Sequence, residues 1–382
     1  MKKLPEYLSY GQQRIEEEDI QAVINTLRSP LLTQGPKIAE FEQKLADYVG
    51  SKYAVAFCNG TAALHGACFA AGISEGDEVI TTPITFAASA NCVLYMGGTV
   101  VFADIDANTY NINPLEIEKR ITSRTKAIIP VDFTGQPADM DTINKVAKRH
   151  NLIVIEDGAH SLGAEYKGRK VGTLADMTMF SFHPVKPITT AEGGIIVTNN
   201  DDFYQKLLTF RSHGIEKTSY SSEQGDWYYE MTNLGFNYRM TDIQAALGVS
   251  QLNKVEHFLE RRREIAKMYC EAFKEIPEII IPNQLKDTNS GWHLYMIQLD
   301  KKVSRKDIFE KMRSLNIGVH VHYIPVYWHP YYHQLGYEKG LCPIAENYYE
   351  KALTLPIHPG LKDEEIQVII TNLIELVETY KI

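Results

Sequence analysis

From Tyr53 onward the chain alternates short apolar runs with small-residue stretches, and this alternation limits the fold more than any other feature. YAVAF is followed by NGTAALHGACFAAG, EVITT by FAASANCVLYMGG, and VVFADI, AIIPV and LIVIED come after them. Repeated strand-then-helix patterning predicts an α/β domain, a mainly parallel sheet with helices on both faces. Such sheets gather ligands at the carboxyl ends of their strands, so the residues that close each apolar run are where chemistry is expected. Two further β-like runs, MTMFSF and GGIIVTN, enclose a loop whose prolines and glycines mark a sharp turn, and its one lysine is Lys186.

Taken alone, Lys186 reads as a solvated loop residue. Asp157, which closes the run Leu152–Ile155, reads alone as a helix cap or the partner of a cation. A loop lysine 29 residues (186 minus 157) after a strand-end carboxylate fits pyridoxal phosphate chemistry better than either reading. The amine bonds to the cofactor aldehyde, and the carboxylate keeps the ring nitrogen protonated so that the ring accepts electrons. NGTAALHGA stands where a strand hands over to a helix. Gly60, Thr61 and Ala62 are small, and their N–H groups at the helix start suit a phosphate, although a plain helix start gives the same pattern. Neither the P-loop signature nor the dinucleotide pattern GxGxxG is present there.

Composition narrows the class. The 382 residues suffice for a large and a smaller domain, expected at 1–260 (N-terminal segment and large α/β domain) and 261–382 (small α+β domain). With 39 basic against 48 acidic residues, a net charge of −9 and no basic run, a nucleic-acid footprint is not supported. No apolar segment approaches the roughly 20 residues that cross a bilayer, and none follows the two N-terminal lysines as a signal peptide would, so no membrane partner and a cytoplasmic location are expected. Five cysteines without metal-ligand spacing fit reduced thiols.

Around this core the periodicities predict further elements. Glu16 to Arg28 carries Ile20, Val23, Ile24 and Leu27 on one helical face, and a second helix follows the 30–36 loop and ends at Gly50. Asp201 to Ser212 reads as a helix. Ser219 to Asp226 is polar and irregular, either a loop bordering the site or a surface insertion. After LGFNYRMT comes one long helix with Ile243, Ala246, Leu247 and Leu252 buried and the run ERRRE solvated. Beyond the polar stretch 282–291, HLYMIQL, SRKDIFEKMRSLN, IGVHVHY and a helix from about Lys362 supply the small domain as strand, helix, strand and helix. Four histidines in HVHYIPVYWHPYYHQ invite a metal reading, but irregular spacing and interleaved aromatics favour a sugar-facing wall made by His320, His322, Tyr323 and Tyr327. No metal is expected.

The motifs LTQGPKIAEFE, NGTAALHGA, TTPITFAASAN, GQPADMD, EDGAH, SFHPVKPITTAEGG, LGFNYRMTDIQAALG and VHYIPVY, in this order between about Leu32 and Ile357, resemble the DegT/StrS family of sugar-nucleotide aminotransferases. The resemblance implies the pyridoxal-phosphate-dependent transferase fold of the aspartate aminotransferase type (fold type I), with a mainly parallel seven-stranded sheet. It implies pyridoxal 5'-phosphate as cofactor, with pyridoxamine 5'-phosphate as its amino-carrying form, and Lys186 as nucleophile and acid/base. By the same match Phe86 stacks on the ring, Asp157 meets its nitrogen, His160 sits beside its phenolic oxygen and Ser181 adds a phosphate contact. Without the match, Phe86 reads as core and His160 as structural. Asn237 resembles a residue that reaches a neighbouring chain's phosphate, which implies a homodimer with shared sites, while Arg239 only braces the loop. Tyr10 and Thr33 match substrate-side positions. Glycine at 158, where the family often has alanine, leaves the acid unaffected.

SFH..KPITTAEGG, FRSHG and VHY.PVY most resemble the members that aminate C4 of a UDP-linked 4-keto-6-deoxy-N-acetyl-L-hexosamine, with L-glutamate as the expected donor. Three rivals remain. They are transfer to another keto-sugar nucleotide (a UDP-4-keto-D-hexosamine or a dTDP-3- or 4-keto sugar), a related dehydratase that would carry histidine in place of Lys186, and a non-catalytic sensor on the same fold.

Overall fold

The computed structural model describes residues 1–381. Seven strands form the central sheet: β1 (Tyr53–Phe57), β2 (Glu78–Thr81), β3 (Thr99–Phe102), β4 (Thr125–Ile129), β5 (Ile153–Asp157), β6 (Met177–Ser181) and β7 (Gly194–Thr198). Their spatial order is β1-β7-β6-β5-β4-β2-β3. The pairings β6–β5, β5–β4, β4–β2 and β2–β3 are parallel, while β7 runs antiparallel to both of its neighbours. β7 is reversed because it returns directly from β6 through the lysine loop, whereas the parallel neighbours need helical crossovers. The expected mainly parallel sheet is therefore present, and its strands are buried on both faces, as a sheet with two helical layers requires.

Two apolar cores cover these faces. One joins Val55, Phe57, Val79, Ile129, Ile155 and Met179 to the helix α3 (Gly60–Ala70), which follows α1 (Glu17–Leu27) and α2 (Pro36–Val49) in the chain. The other packs Ala54, Ile80, Ile128, Val154, Phe180 and Val197 against Phe41, Leu45 and Val49 of α2. Proline at the first position of α2 and Gly50 at φ 81° mark its ends as the sequence suggests.

A third core holds the small α+β unit. Its sheet, Ile279–Ile280, Tyr295–Leu299 and Ala352–Leu355, packs with the helices Arg305–Ser314 and Asp363–Thr379. Leu4 and Leu8 join this core from the other end of the chain, so the N-terminal segment belongs with the small unit in packing terms. The expected division at 260/261 falls inside a helix, and Ile382 lies outside the described residues.

The structure corrects several expectations. The long helix is two, α4 (Asp242–Leu252) and α5 (Val255–Phe273), separated at Asn253 and Lys254. Of the four residues expected on its buried face, Ala246 and Leu252 are buried and Ile243 and Leu247 are half-buried. Arg262, within the run expected to be solvated, has no exposed surface. Residues 317–323 form no ladder strand and make only isolated bridges, Leu8 with Ile317 and His320 with Thr354. Ser219–Gln224 is a short helix held by a Thr218 cap rather than irregular chain. The apolar residues of α1 are not its anchor either: Ile20 is 45% and Leu27 53% exposed. Asp19 holds the helix, accepting hydrogen bonds from Ser250 Oγ (2.6 Å), Gln251 Nε2 (2.8 Å) and Lys254 Nζ (2.6 Å). No described helix is long and apolar enough to cross a membrane.

Candidate active site

A cavity of about 1090 Å³ opens at the carboxyl ends of β1, β2, β5 and β6. α3 begins directly after β1, and Asn59 caps it by accepting from Ala62 N (2.8 Å). The amides of Gly60 and Thr61 are left as first-turn donors at the positive end of the helix, next to Ser181 at the end of β6. The approach is close: a Cβ at Gly194 would lie 2.6 Å from the carbonyl of Asn59, so only glycine lets β7 pass behind this turn.

Asp157 ends β5 at the cavity floor. It accepts a hydrogen bond from Ser89 Oγ (2.6 Å), itself paired with Thr85 Oγ1 (2.7 Å), and one from Ala159 N (3.1 Å). Burial raises its pKa, opposed by those donors and by the nearby Lys186 charge. Phe86 is 64% exposed, because its ring stands at the cavity edge rather than in the core.

Lys186 reaches the cavity from the β6–β7 loop, held by a backbone bond from its N–H to His183 O (2.9 Å). The cavity leaves part of its surface accessible, yet protein surrounds the amine closely enough to lower its pKa to about 8. Burial is the main cause and the Arg262 charge adds to it, against the pull of Asp157. Its amine forms no ion pair among the described residues, so an unpaired nucleophile faces an open cavity.

Three buried imidazoles line the same cavity. His160, His293 and His322 are all buried, with pKa values driven well down by burial, so each is neutral at pH 7. His160 packs on His293 with ring centroids 4.4 Å apart, its Nε2 lies 3.4 Å from Tyr323 OH, and its Nδ1 is buried without a partner. Tyr10 packs against His320 and His322 at 5.4 and 5.0 Å.

Of the residues expected here, Lys186, Gly60, Thr61, Ala62, Phe86, Asp157, His160, Ser181, Tyr10, His320, His322 and Tyr323 all line the one cavity. Three do not. Thr33 is exposed and bridges to Thr241. Asn237 is exposed, its backbone is paired with Ser212, and it is not among the residues that line its own chain's cavity. Tyr327 is a core residue instead of a wall: it is 1% exposed, packs on Phe102 and donates to Glu346 Oε1 at 2.5 Å. Its place in an aromatic-rich run hid this, since the short helical turn Val326–Trp328 points Tyr327 inward. Accordingly, Tyr327→Phe is expected to lower stability by about 1 kcal/mol in a denaturant titration and to leave KM for either substrate within twofold.

Sequence reasoning did not single out Tyr238, His183, Glu192, Ser89 or His293, all of which line the cavity. Ser89 alone had a readable signal, standing three residues after Phe86 at the start of a helix.

The residues fit a phosphorylated, planar aldehyde cofactor. Free first-turn amides and a hydroxyl suit the phosphate, an exposed aromatic face suits the ring, a buried carboxylate suits a ring nitrogen, and an unpaired amine suits the aldehyde.

Comparison with known proteins agrees with this geometry. Residues 13–374 match the DegT/DnrJ/EryC1/StrS aminotransferase family. The spore coat polysaccharide biosynthesis protein SpsC of Bacillus subtilis is 43% identical, over 99% of each chain. The UDP-4-amino-4,6-dideoxy-N-acetyl-beta-L-altrosamine transaminase of Campylobacter jejuni is 40% identical, over 98% of each. Among solved structures, Helicobacter pylori PseC, an aminotransferase involved in the biosynthesis of pseudoaminic acid, superposes with a TM-score of 0.93 at 36% identity, over 98% of this chain and all of that one.

Proposed function

Since the chain belongs to the DegT/DnrJ/EryC1/StrS aminotransferase family, we propose that it moves the amino group of L-glutamate to C4 of UDP-2-acetamido-2,6-dideoxy-beta-L-arabino-hexos-4-ulose, giving UDP-4-amino-4,6-dideoxy-N-acetyl-beta-L-altrosamine for pseudaminic acid biosynthesis. The observation that carries this reading is the pairing of Lys186 and Asp157 in one cavity at the carboxyl ends of neighbouring strands. The fold is then of the aspartate aminotransferase type, fold type I.

Bound in this cavity, pyridoxal 5'-phosphate supplies an aldehyde that takes up the amine and an electron-withdrawing ring that stabilises the carbanion formed at the reacting carbon. The free amides of Gly60 and Thr61 and the Ser181 hydroxyl would hold its phosphate, with Ala62 beside them and its amide taken by Asn59; Phe86 would stack on the ring, Asp157 would keep a proton at the ring nitrogen, and His160 would sit beside the phenolic oxygen. A neutral His160 is suited to this place, because an imidazolium would compete with the ring nitrogen for the Asp157 charge. The Lys186 amine, with its pKa lowered to about 8, is neutral in a sizeable fraction near neutral pH and carries the proton away from one carbon and back to another. Tyr10, His320, His322 and Tyr323 offer aromatic faces and hydrogen-bonding groups to a hexose and a uracil, and Thr33, outside its own chain's cavity, would serve the neighbouring chain's site.

The chain works as a cytoplasmic homodimer in this reading. Support comes from apolar side chains left open to solvent: Trp227 is 80%, Leu234 76% and Leu31 49% exposed, as are Ile20 and Leu27 of α1, residues of the kind that a second copy would bury. Asn237, exposed and outside the lining of its own cavity, then reaches the partner's phosphate. Mixing Lys186→Ala and Asn237→Ala chains should restore about one quarter of wild-type activity, since half of the randomly assorted dimers would carry one intact site. A mixture no more active than either parent would mean that Asn237 serves its own chain or none.

The Bacillus relative's place in spore coat polysaccharide synthesis supports a second reading, transfer to a different keto-sugar nucleotide on the same machinery. Mass analysis of products from a panel of 4-keto and 3-keto UDP- and dTDP-sugars separates the two.

A further inference from the structure

Arg262 is the largest fully buried side chain described, and no carboxylate pairs with it. Its Nη1 donates to three backbone carbonyls, Ile357 (2.9 Å), His293 (3.2 Å) and Trp292 (3.3 Å), and its Nη2 donates to Val185 O (3.4 Å). Nε is buried without a partner. A charge removed from water with only neutral dipoles around it is costly, and sequences rarely keep one unless the position needs it. Each carbonyl belongs to a segment that shapes the active site. Val185 precedes Lys186, His293 packs on His160, and Ile357 N is bonded to Tyr10 O (2.9 Å).

We propose that Arg262 is a positioning residue for Lys186, a buried guanidinium that clips the lysine loop to the 292–293 and 357 backbone and presents an uncompensated positive charge to the lysine amine. The proposal rests on the reading of Lys186 as the reacting amine. A planar fork is needed, since the acceptors are spread over three segments and one ammonium cannot reach them together. The charge favours the neutral form of Lys186, a state that a reacting amine must reach. The other groups facing Lys186 are Asp157, which opposes this effect, and the neutral imidazoles of His160, His293 and His322. His358, beside Arg262, is also held neutral, with its pKa pushed down to about 4.

The test reads the amine without turnover. Cofactor-free full-length protein is labelled with trace acetic anhydride from pH 6 to 11, and acetylation of Lys186 is followed by peptide mass spectrometry. The wild-type midpoint is expected near 8. Arg262→Gln, in protein that remains folded by circular dichroism, should raise the midpoint and so lower the fraction of neutral amine at a given pH. Arg262→Lys, which keeps the charge, should keep the midpoint. A glutamine variant with an unchanged midpoint overturns the proposal, because a merely structural residue would alter the melting temperature alone. Should the glutamine variant not fold, the lysine variant decides. Amide exchange over residues 183–190 should quicken about tenfold when the fork is lost, and unchanged exchange there overturns the clip. Loss of aminotransfer activity with normal midpoints would instead count against the proposed function alone.

Discussion

Replacing Lys186 by alanine is expected to lower kcat by at least about 10⁴-fold while leaving the fold intact. The amine has two tasks in the proposed reaction, bonding to the cofactor and moving the proton, and no other primary amine lines the cavity among the described residues. Single-turnover kinetics with L-glutamate would measure the loss, and the visible absorbance of the cofactor joined to the ε-amine should vanish with it. Lys186→Arg should be almost as inactive, because a guanidinium keeps the charge and cannot give up its proton. Stability should respond in a definite direction. The folded pKa of Lys186, about 8, lies below the unfolded value of about 10.4, so between these two pH values the unfolded chain binds the extra proton. This group therefore makes the cofactor-free protein more stable as pH rises from about 8 to about 10.4, and the alanine variant should lose that part of the slope. A residue that served only as loop surface would change neither the kinetics nor this slope.

Asp157→Asn is expected to cost about 10²- to 10³-fold in kcat. Asparagine keeps the shape, with its carbonyl oxygen placed to accept from Ala159 N, which donates to Oδ1, while the Ser89 hydroxyl, which donates to Oδ2, turns to accept from the new amide N–H. What is lost is the negative charge that holds a proton on the ring nitrogen. The same substitution should weaken cofactor binding, read by equilibrium dialysis, with little change in thermal stability, since a carboxylate burdened by burial is replaced by a neutral amide. If the variant kept wild-type kcat, the carboxylate would be structural and Ser89 and Thr85 would be no more than its hydrogen-bonding company.

Much of the site could be read from residues because the sheet brings together what the sequence separates in a regular way. Each of β1, β2, β5 and β6 announces itself as an apolar run, and the residue types at their ends converge by topology. Lys186 and Asp157 needed only that rule. Positions whose role depends on direction within a loop were harder. Tyr327 and Tyr323 stand in the same aromatic run, yet one turns into the core and the other into the cavity. Arg262 was hidden by its neighbours: in a run of five charged residues nothing local marks the one side chain that turns inward, and its partners are carbonyls far along the chain. The face of α1 misled for a different reason. Its apolar spacing is real, but the helix is fixed by Asp19, and the side chains of Ile20 and Leu27 stay exposed.

The most direct measurement is a coupled assay of purified protein with pyridoxal 5'-phosphate, L-glutamate and UDP-2-acetamido-2,6-dideoxy-beta-L-arabino-hexos-4-ulose, following 2-oxoglutarate and the sugar product together by mass spectrometry. The account predicts equal amounts of 2-oxoglutarate and a 4-amino sugar nucleotide, both abolished in Lys186→Ala. Folded, cofactor-loaded protein that yields neither product with this ketone nor with any other keto-sugar nucleotide would contradict it.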